Sequence, residues 1–216
     1  YADITAITDN AGGIAGQVTS TGAASGCYNS GTITAGGNTV GGIVAVLGGK
    51  VEYCQNDGEV RNIVLSPTRV ATALNTAGGI AGEASGSAVE LIGNVNTGYV
   101  HSLRDVGGIS SSATRAKKVA CNLNYGMVDY HYTDGTVGSF FAYKYTGDDT
   151  AGNCFDAQIG YQNASCYTAL NGISGLTTAE LTSGKKIDGL LDSEHFDFGE
   201  NEITSAGDSD ESPLAS

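Results

Sequence analysis

The chain has 216 residues, of which 33 are Gly, 2 Pro, 1 Met and none Trp, and its 10 Lys and Arg against 23 Asp and Glu leave a formal net charge of −13. So few cations cannot neutralise phosphates as nucleic-acid binding requires, and they suit anionic membrane surfaces no better. No apolar run approaches the ~20 residues of a membrane-spanning helix, and the glycines lack the three-residue period of collagen.

The sequence opens at Tyr1 with no initiator Met, no basic n-region and no apolar h-region. It therefore reads as a mature or excised piece, beginning inside a repeat. Two motifs then alternate along the chain. The first is Ala11-Gly12-Gly13-Ile14-Ala15-Gly16, repeated as Val40-Gly41-Gly42-Ile43, Ala77-Gly78-Gly79-Ile80 and Val106-Gly107-Gly108-Ile109, with a degenerate copy at Val137-Gly138-Ser139-Phe140. Successive copies are 29, 37, 29 and 31 residues apart. Between them lies Asn-x-Gly-x-Val/Ile, at Asn29 to Ile33, Asn56 to Val60, Asn96 to Val100 and Asn124 to Val128.

Each Gly-Gly-Ile segment is a short run of small and β-branched residues, the pattern of a buried strand. Its paired glycines mark a bend or a close backbone approach. In the second motif Asn and Gly supply a turn, and the following Val or Ile starts another strand. One unit of about 29 residues cannot bury its own apolar face, whereas stacked units can. The expected fold is an all-β solenoid, parallel and β-helix-like, of about five coils. It would carry a column of Ile14, Ile43, Ile80 and Ile109 and a second of Asn29, Asn56, Asn96 and Asn124, the latter bonded amide to amide. A sandwich or barrel of hairpins is the competing architecture, but it does not require this period. Between Asn56 and Gly79 the spacing is 23 residues, against 13 and 12 in neighbouring units. The excess falls in Arg61 to Val70, and reads as a partner-contact loop around Ser66 to Arg69 or as a tolerated excursion.

This alternation, with Gly26-Cys27-Tyr28-Asn29-Ser30-Gly31-Thr32-Ile33 as its closest instance, resembles the GLUG repeat of bacterial surface proteins. Asn153-Cys154-Phe155-Asp156 followed by Gly175-Leu176-Thr177-Thr178-Ala179-Glu180-Leu181 is similar to the closing segment of that family. The resemblance spans roughly Tyr1 to Phe198. It implies adhesin-like proteins or the stalks of IgA-cleaving metallopeptidases, with β-helix-like repeats. The chain departs from the pattern at Val137-Gly138-Ser139-Phe140 and lacks the usual Trp near the end.

Thr177-Thr178-Ala179-Glu180 is a capping box for a short helix carrying Leu181, Lys185 and Ile187 and ending before Gly189. That helix, with Leu190, Leu191, Phe196 and Phe198, is expected near or over the last coil, where a solenoid needs a cover. Residues 188–216 hold nine acidic groups and no basic one. The expected organisation is repeats over 1–160, a cap over 161–200 and an acidic tail over 201–216 that reads as a solvated linker or as a calcium or partner contact.

Five cysteines occur, at 27, 54, 121, 154 and 166. Cys27 and Cys54 each stand two before a repeat Asn and read as stacked small core residues. Cys121 is one place off that column, and Cys154 with Cys166 is the best candidate disulfide. Without Cys-x-x-Cys, a zinc ribbon is unsupported.

For catalysis, Asp129, His131 and Asp134 form the one polar cluster in sequence. It reads as an acid/base group or a metal site, or as a polar strand and turn. His101 and His195 stand alone, Ser110-Ser111-Ser112 has no nucleophile elbow, and Asn163-Ala164-Ser165 fits a glycosylation acceptor or is a chance match, idle in a bacterial host. The 11 tyrosines suit sugar stacking or the edges between coils.

The function expected is a non-catalytic module of a bacterial cell-surface or secreted protein, acting in adhesion or as a rigid stalk. No catalytic, metal or cofactor-binding residue is assigned, and no cofactor. Expected partners are a host surface protein or glycan and other domains of the same polypeptide, with no nucleic acid and no membrane insertion in this segment. The alternatives are a carbohydrate-active β-helix enzyme, a polysaccharide lyase or hydrolase working through Asp129, His131 or Asp134, and the stalk of an IgA-cleaving metallopeptidase.

Overall fold

The computed structural model describes residues 2–7, 10–65, 75–131, 135–142, 149–159 and 172–183, and the backbone of 196–198 and 203–205. Within them the chain winds through five parallel sheets in turn, once per coil. The first sheet holds Ile4–Ala6, Ile33–Ala35, Val60–Asn62, Val100–Ser102 and Val128–Tyr130. The second holds Ala11–Gly12, Thr39–Gly41, Thr76–Gly78, Asp105–Gly107 and Val137–Gly138. Ala15–Val18, Val44–Leu47 and Ala81–Ala84 form the third, continued by bridges from Ala81 to Ser110 and from Ser110 to Phe141. Ala23–Ser25, Lys50–Glu52, Glu90–Ile92, Lys118–Ala120 and Thr150–Ala151 form the fourth. The fifth runs from Tyr28–Asn29 through Gln55–Asn56, Val95–Asn96, Leu123–Asn124 and Asn153–Asp156 to Ile173–Leu176. The all-β solenoid of about five coils is the observed fold.

The expected columns are present. The Ile14 amide donates to the Ile43 carbonyl, Ile43 to Ile80, Ile80 to Ile109 and Ile109 to Phe140. Ile43, Ile80 and Ile109 are fully buried, whereas Ile14 is 49% exposed, because only the second coil covers it. The Asn column is a ladder: Nδ2 of Asn29 donates to Oδ1 of Asn56 at 2.7 Å, Asn56 to Asn96 at 2.8 Å and Asn96 to Asn124 at 2.7 Å.

Both motifs recur together because each needs the other. A Cβ on Gly79 would lie 2.3 Å from Asn96 Cγ and 2.2 Å from the Gly108 carbonyl oxygen. One on Gly42 would lie 2.4 Å from Asn56 Cγ, and one on Gly108 2.2 Å from Asn124 Nδ2. The second glycine of each pair is thus the wall against which the ladder amide of the same coil packs. The Gly of Asn-x-Gly closes the other side, since a Cβ on Gly98 would lie 2.9 Å from Asn56 Nδ2. In the last coil Phe155 stands in register with Asn124, and there Ser139 replaces the second glycine. Ladder and glycine disappear together.

A second ladder was not anticipated. Asn94 Nδ2 donates to Asn122 Oδ1 at 2.8 Å, and Asn122 Nδ2 to Asn153 Oδ1 at 2.9 Å. The residues just before this column turn the chain from the fourth sheet to the fifth with left-handed backbone: Gly26, Tyr53, Gly93, Cys121 and Gly152, with φ between 52° and 64°. Cys121 therefore lies at a turn. In the first two coils the ladder position itself is occupied by Cys27 and Cys54.

The long excursion begins later than the sequence placed it. Arg61 and Asn62 belong to the regular strand, and the neck is closed by Asn75 Nδ2 donating to Asn62 Oδ1 at 2.9 Å. Residues 66–74, with Ser66 to Arg69, lie outside the described residues.

The capping box forms as expected, with Thr177 Oγ1 accepting from the Glu180 amide and Glu180 Oε2 accepting from the Thr177 amide. The helix runs Thr178–Thr182 and closes at Ser183, short of the predicted extent; Lys185, Ile187, Leu190 and Leu191 lie outside the described residues. Leu181 is fully buried with Val95, Leu123, Cys154 and Leu176. Because side chains alternate along a strand, this cluster occupies the face of the fifth sheet opposite the ladder. The helix packs on the flank of the last coils. Phe196–Phe198 pairs antiparallel with Ile203–Ser205.

Candidate functional site

Stacking in register aligns residues that are distant in sequence. On the first sheet Arg61, His101 and Asp129 are direct neighbours in successive coils. Tyr99 precedes its strand by one residue, and the two-residue alternation puts it on the face of His101. The Tyr99 hydroxyl donates to Asp129 Oδ2 at 3.1 Å and lies 3.4 Å from His101 Nδ1. His101 Nδ1 is 3.6 Å from the same carboxylate oxygen. The two rings stack with centroids 6.2 Å apart and planes 29° from parallel. Above them Arg61 Nε pairs with Glu59 Oε1 at 2.6 Å.

The electrostatics follow from partial burial beside a carboxylate. Burial pushes the Tyr99 phenol up to about 12, and the Asp129 charge and hydrogen bond add to it. Burial also lowers the His101 imidazole below its usual range, against the opposing pull of Asp129. At neutral pH the cluster thus holds a phenol proton, an imidazole biased to its neutral form and an outward carboxylate. Such a set can hydrogen-bond a polyhydroxyl ligand or relay a proton.

Of the residues singled out from sequence, Asp129 joins this cluster. His131 is exposed two residues further on, and its charge opposes protonation of His101. Asp134, His195, Cys166 and Asn163 to Ser165 lie outside the described residues. His101, alone in sequence, is brought to Asp129 across one coil, and Tyr99 was missed; the 28-residue offset of the repeat was the signal that pairs them. Ser110 Oγ and Ser111 Oγ donate to the carbonyls of Ser112 and Gly82 and serve the fold. Cys154 is buried, which pushes its thiol up to about 12.

An open depression of about 410 Å³ lies along the fourth sheet, lined by Ser20, Gly22, Lys50, Glu90 and Lys117 among others. Its cations are engaged: Lys117 Nζ meets Glu90 Oε1 at 2.5 Å, and Lys50 pairs with Glu52. That pairing raises Lys50, and the Lys117 contact lowers Glu90. Among the described residues no three His, Cys, Asp or Glu side chains group to hold a metal ion, and no helix is long and apolar enough to cross a membrane.

No family model, curated protein or solved structure matches the chain.

Proposed function

We propose that this chain is a non-catalytic, GLUG-like repeat module of a bacterial cell-surface or secreted protein, which holds neighbouring domains apart or offers an adhesive face. The observation that carries this reading is the unbroken inter-coil register, with one repeated contact set from Ile14 to Phe140 and from Asn29 to Asn124. Such an interior resists bending, and its length is set by coil number at ~4.8 Å per coil. The test is surface labelling of intact source cells with antibody against the chain. Labelling that protease shaving removes supports the reading; labelling seen only after lysis refutes it.

A second reading rests on the convergence of Tyr99, His101 and Asp129. In it the outer face of the first sheet acts on a polysaccharide, with His101 taking a proton and Tyr99 or Asp129 in support. Release of unsaturated or reducing ends from a polysaccharide panel, lost in His101→Ala, would establish it. No release from any polymer leaves the structural role in place.

A further inference from the structure

We propose that Cys27 and Cys54 are a reversible oxidation site, at which a disulfide fastens the first coil to the second. The two stand in the same column of adjacent coils, because Ser25 pairs with Glu52 and Tyr28 with Gln55 on either side of them. Neighbouring parallel strands lie ~4.8 Å apart, inside the Cα separation that a disulfide spans. The Cys27 amide donates to Cys54 Sγ at 3.4 Å, so the deeper sulfur already sits against the Cys27 backbone. Cys27 Sγ turns to the Ser25 carbonyl at 3.4 Å. Rotation of this half-buried side chain about Cα–Cβ, away from the Ser25 carbonyl, is the movement that the link requires.

The same column explains why a covalent link has a role here. In the third to fifth coils it is occupied by Asn94, Asn122 and Asn153, whose amides join each coil to the next. Cys54 accepts from the Cys27 amide through sulfur, just as Asn122 Oδ1 accepts from the Asn94 amide at 3.0 Å. A thiol cannot supply the second, side-chain-to-side-chain bond of the ladder. The rung is missing between the second and third coils too, but there Asn94 Oδ1 accepts from the Cys54 amide and Asn94 Nδ2 donates to the Val51 carbonyl, both at 3.0 Å. Between the first and second coils this column has no amide side chain at all, and the first coil is the one where Ile14 is half exposed. A disulfide restores the rung.

The chemistry is thiol–disulfide exchange with a small disulfide such as oxidised glutathione. The Cys27 thiolate, on the more accessible sulfur, attacks one glutathione sulfur; the glutathione S–S bond breaks and one glutathione thiolate leaves. Cys54 then loses its proton to solvent, its sulfur attacks the Cys27 sulfur, and the second glutathione thiolate leaves. Two protein thiols are oxidised and one glutathione disulfide is reduced to two thiols. Burial pushes the Cys54 thiol up to about 12, which makes the second step slow and accelerated by base.

The experiment uses the full chain, reduced, folded and then incubated with oxidised glutathione in mildly alkaline buffer. After acid quench and alkylation, peptide mass mapping reads the linkages. The expected product is a Cys27–Cys54 crosslinked peptide, lighter by two hydrogens. It forms in the Cys121→Ser variant, is lost in Cys27→Ser and in Cys54→Ser, and reverts under dithiothreitol. Amide exchange across Ala23–Asn29 slows in the oxidised protein. Arrest at a Cys27–glutathione mixed disulfide, two alkylated thiols, or a link that forms only in urea would each overturn the proposal. Circular dichroism of the Ser variants separates loss of the link from loss of the fold.

Discussion

Replacing Asn96 by Ala removes the centre of the first ladder. Asn96 Nδ2 donates to the Gly98 carbonyl at 3.0 Å and to Asn124 Oδ1 at 2.7 Å, while its own Oδ1 accepts from Asn56 at 2.8 Å. The side chain is fully buried. Three bonds at about 1 kcal/mol each give a loss of about 3 kcal/mol. The figure does not climb further, because neither neighbour is orphaned. Asn56 Nδ2 still reaches the Gly58 carbonyl at 2.9 Å, and Asn124 Oδ1 still accepts from the Gly126 amide at 3.3 Å. For a chain of this size the loss corresponds to a fall of roughly 6–12 °C in melting temperature. Paired urea and thermal melts of the wild type and Asn96→Ala measure it. Asn56→Ala should couple to it by about 1 kcal/mol through their shared bond, giving less than additive loss in the double variant. A loss under about 0.5 kcal/mol, or strict additivity, refutes the ladder as an energetic element of the fold.

Other expectations concern separate parts of the molecule. Gly79→Ala should destabilise by about 2–3 kcal/mol or prevent folding, since its Cβ meets a carbonyl oxygen and the Asn96 amide. Gly16→Ala, with nothing within 4 Å, should stay within about 0.5 kcal/mol, and denaturant melts of the pair decide. NMR titration should place the His101 midpoint below the ordinary 6.5. The unfolded chain then takes up this proton first, so stability falls as pH drops below 6.5 towards the folded midpoint; His101→Gln should remove that part of the acid loss. The Tyr99 phenol should titrate by ultraviolet absorbance near 12, and Asp129→Asn should lower it only partly, because burial is the larger cause. Leu181→Ala should cost about 2–5 kcal/mol by opening the packed flank, and Thr177→Ala about 1 kcal/mol by removing the cap, both read from melts.

The repeat was legible because a parallel stack demands chemically similar residues at each level. Gly-Gly-Ile and Asn-x-Gly announce themselves four times each, and Ile80 or Asn96 could be placed without coordinates. The second ladder was hidden, because Cys27 and Cys54 break it in the first two coils and only Asn94, Asn122 and Asn153 keep it. Tyr99 with His101 and Asp129 was legible in principle, given the 28-residue offset, but outward residues carry no repeat signature and nothing marked Tyr99 out from ten other tyrosines. The helix start was fixed by local chemistry at Thr177 and Glu180; its end at Ser183 was also marked in the sequence, by Gly184 directly after it, a stop signal passed over in favour of Gly189.

The stacking itself is read most directly by NMR through-hydrogen-bond coupling between backbone amide nitrogen and carbonyl carbon. In-register coils require the amides of Ile14, Ile43, Ile80 and Ile109 to couple to the carbonyls of Ile43, Ile80, Ile109 and Phe140 respectively. Couplings that instead join each segment to its sequence neighbour in antiparallel hairpin order would contradict the solenoid and the roles drawn from it.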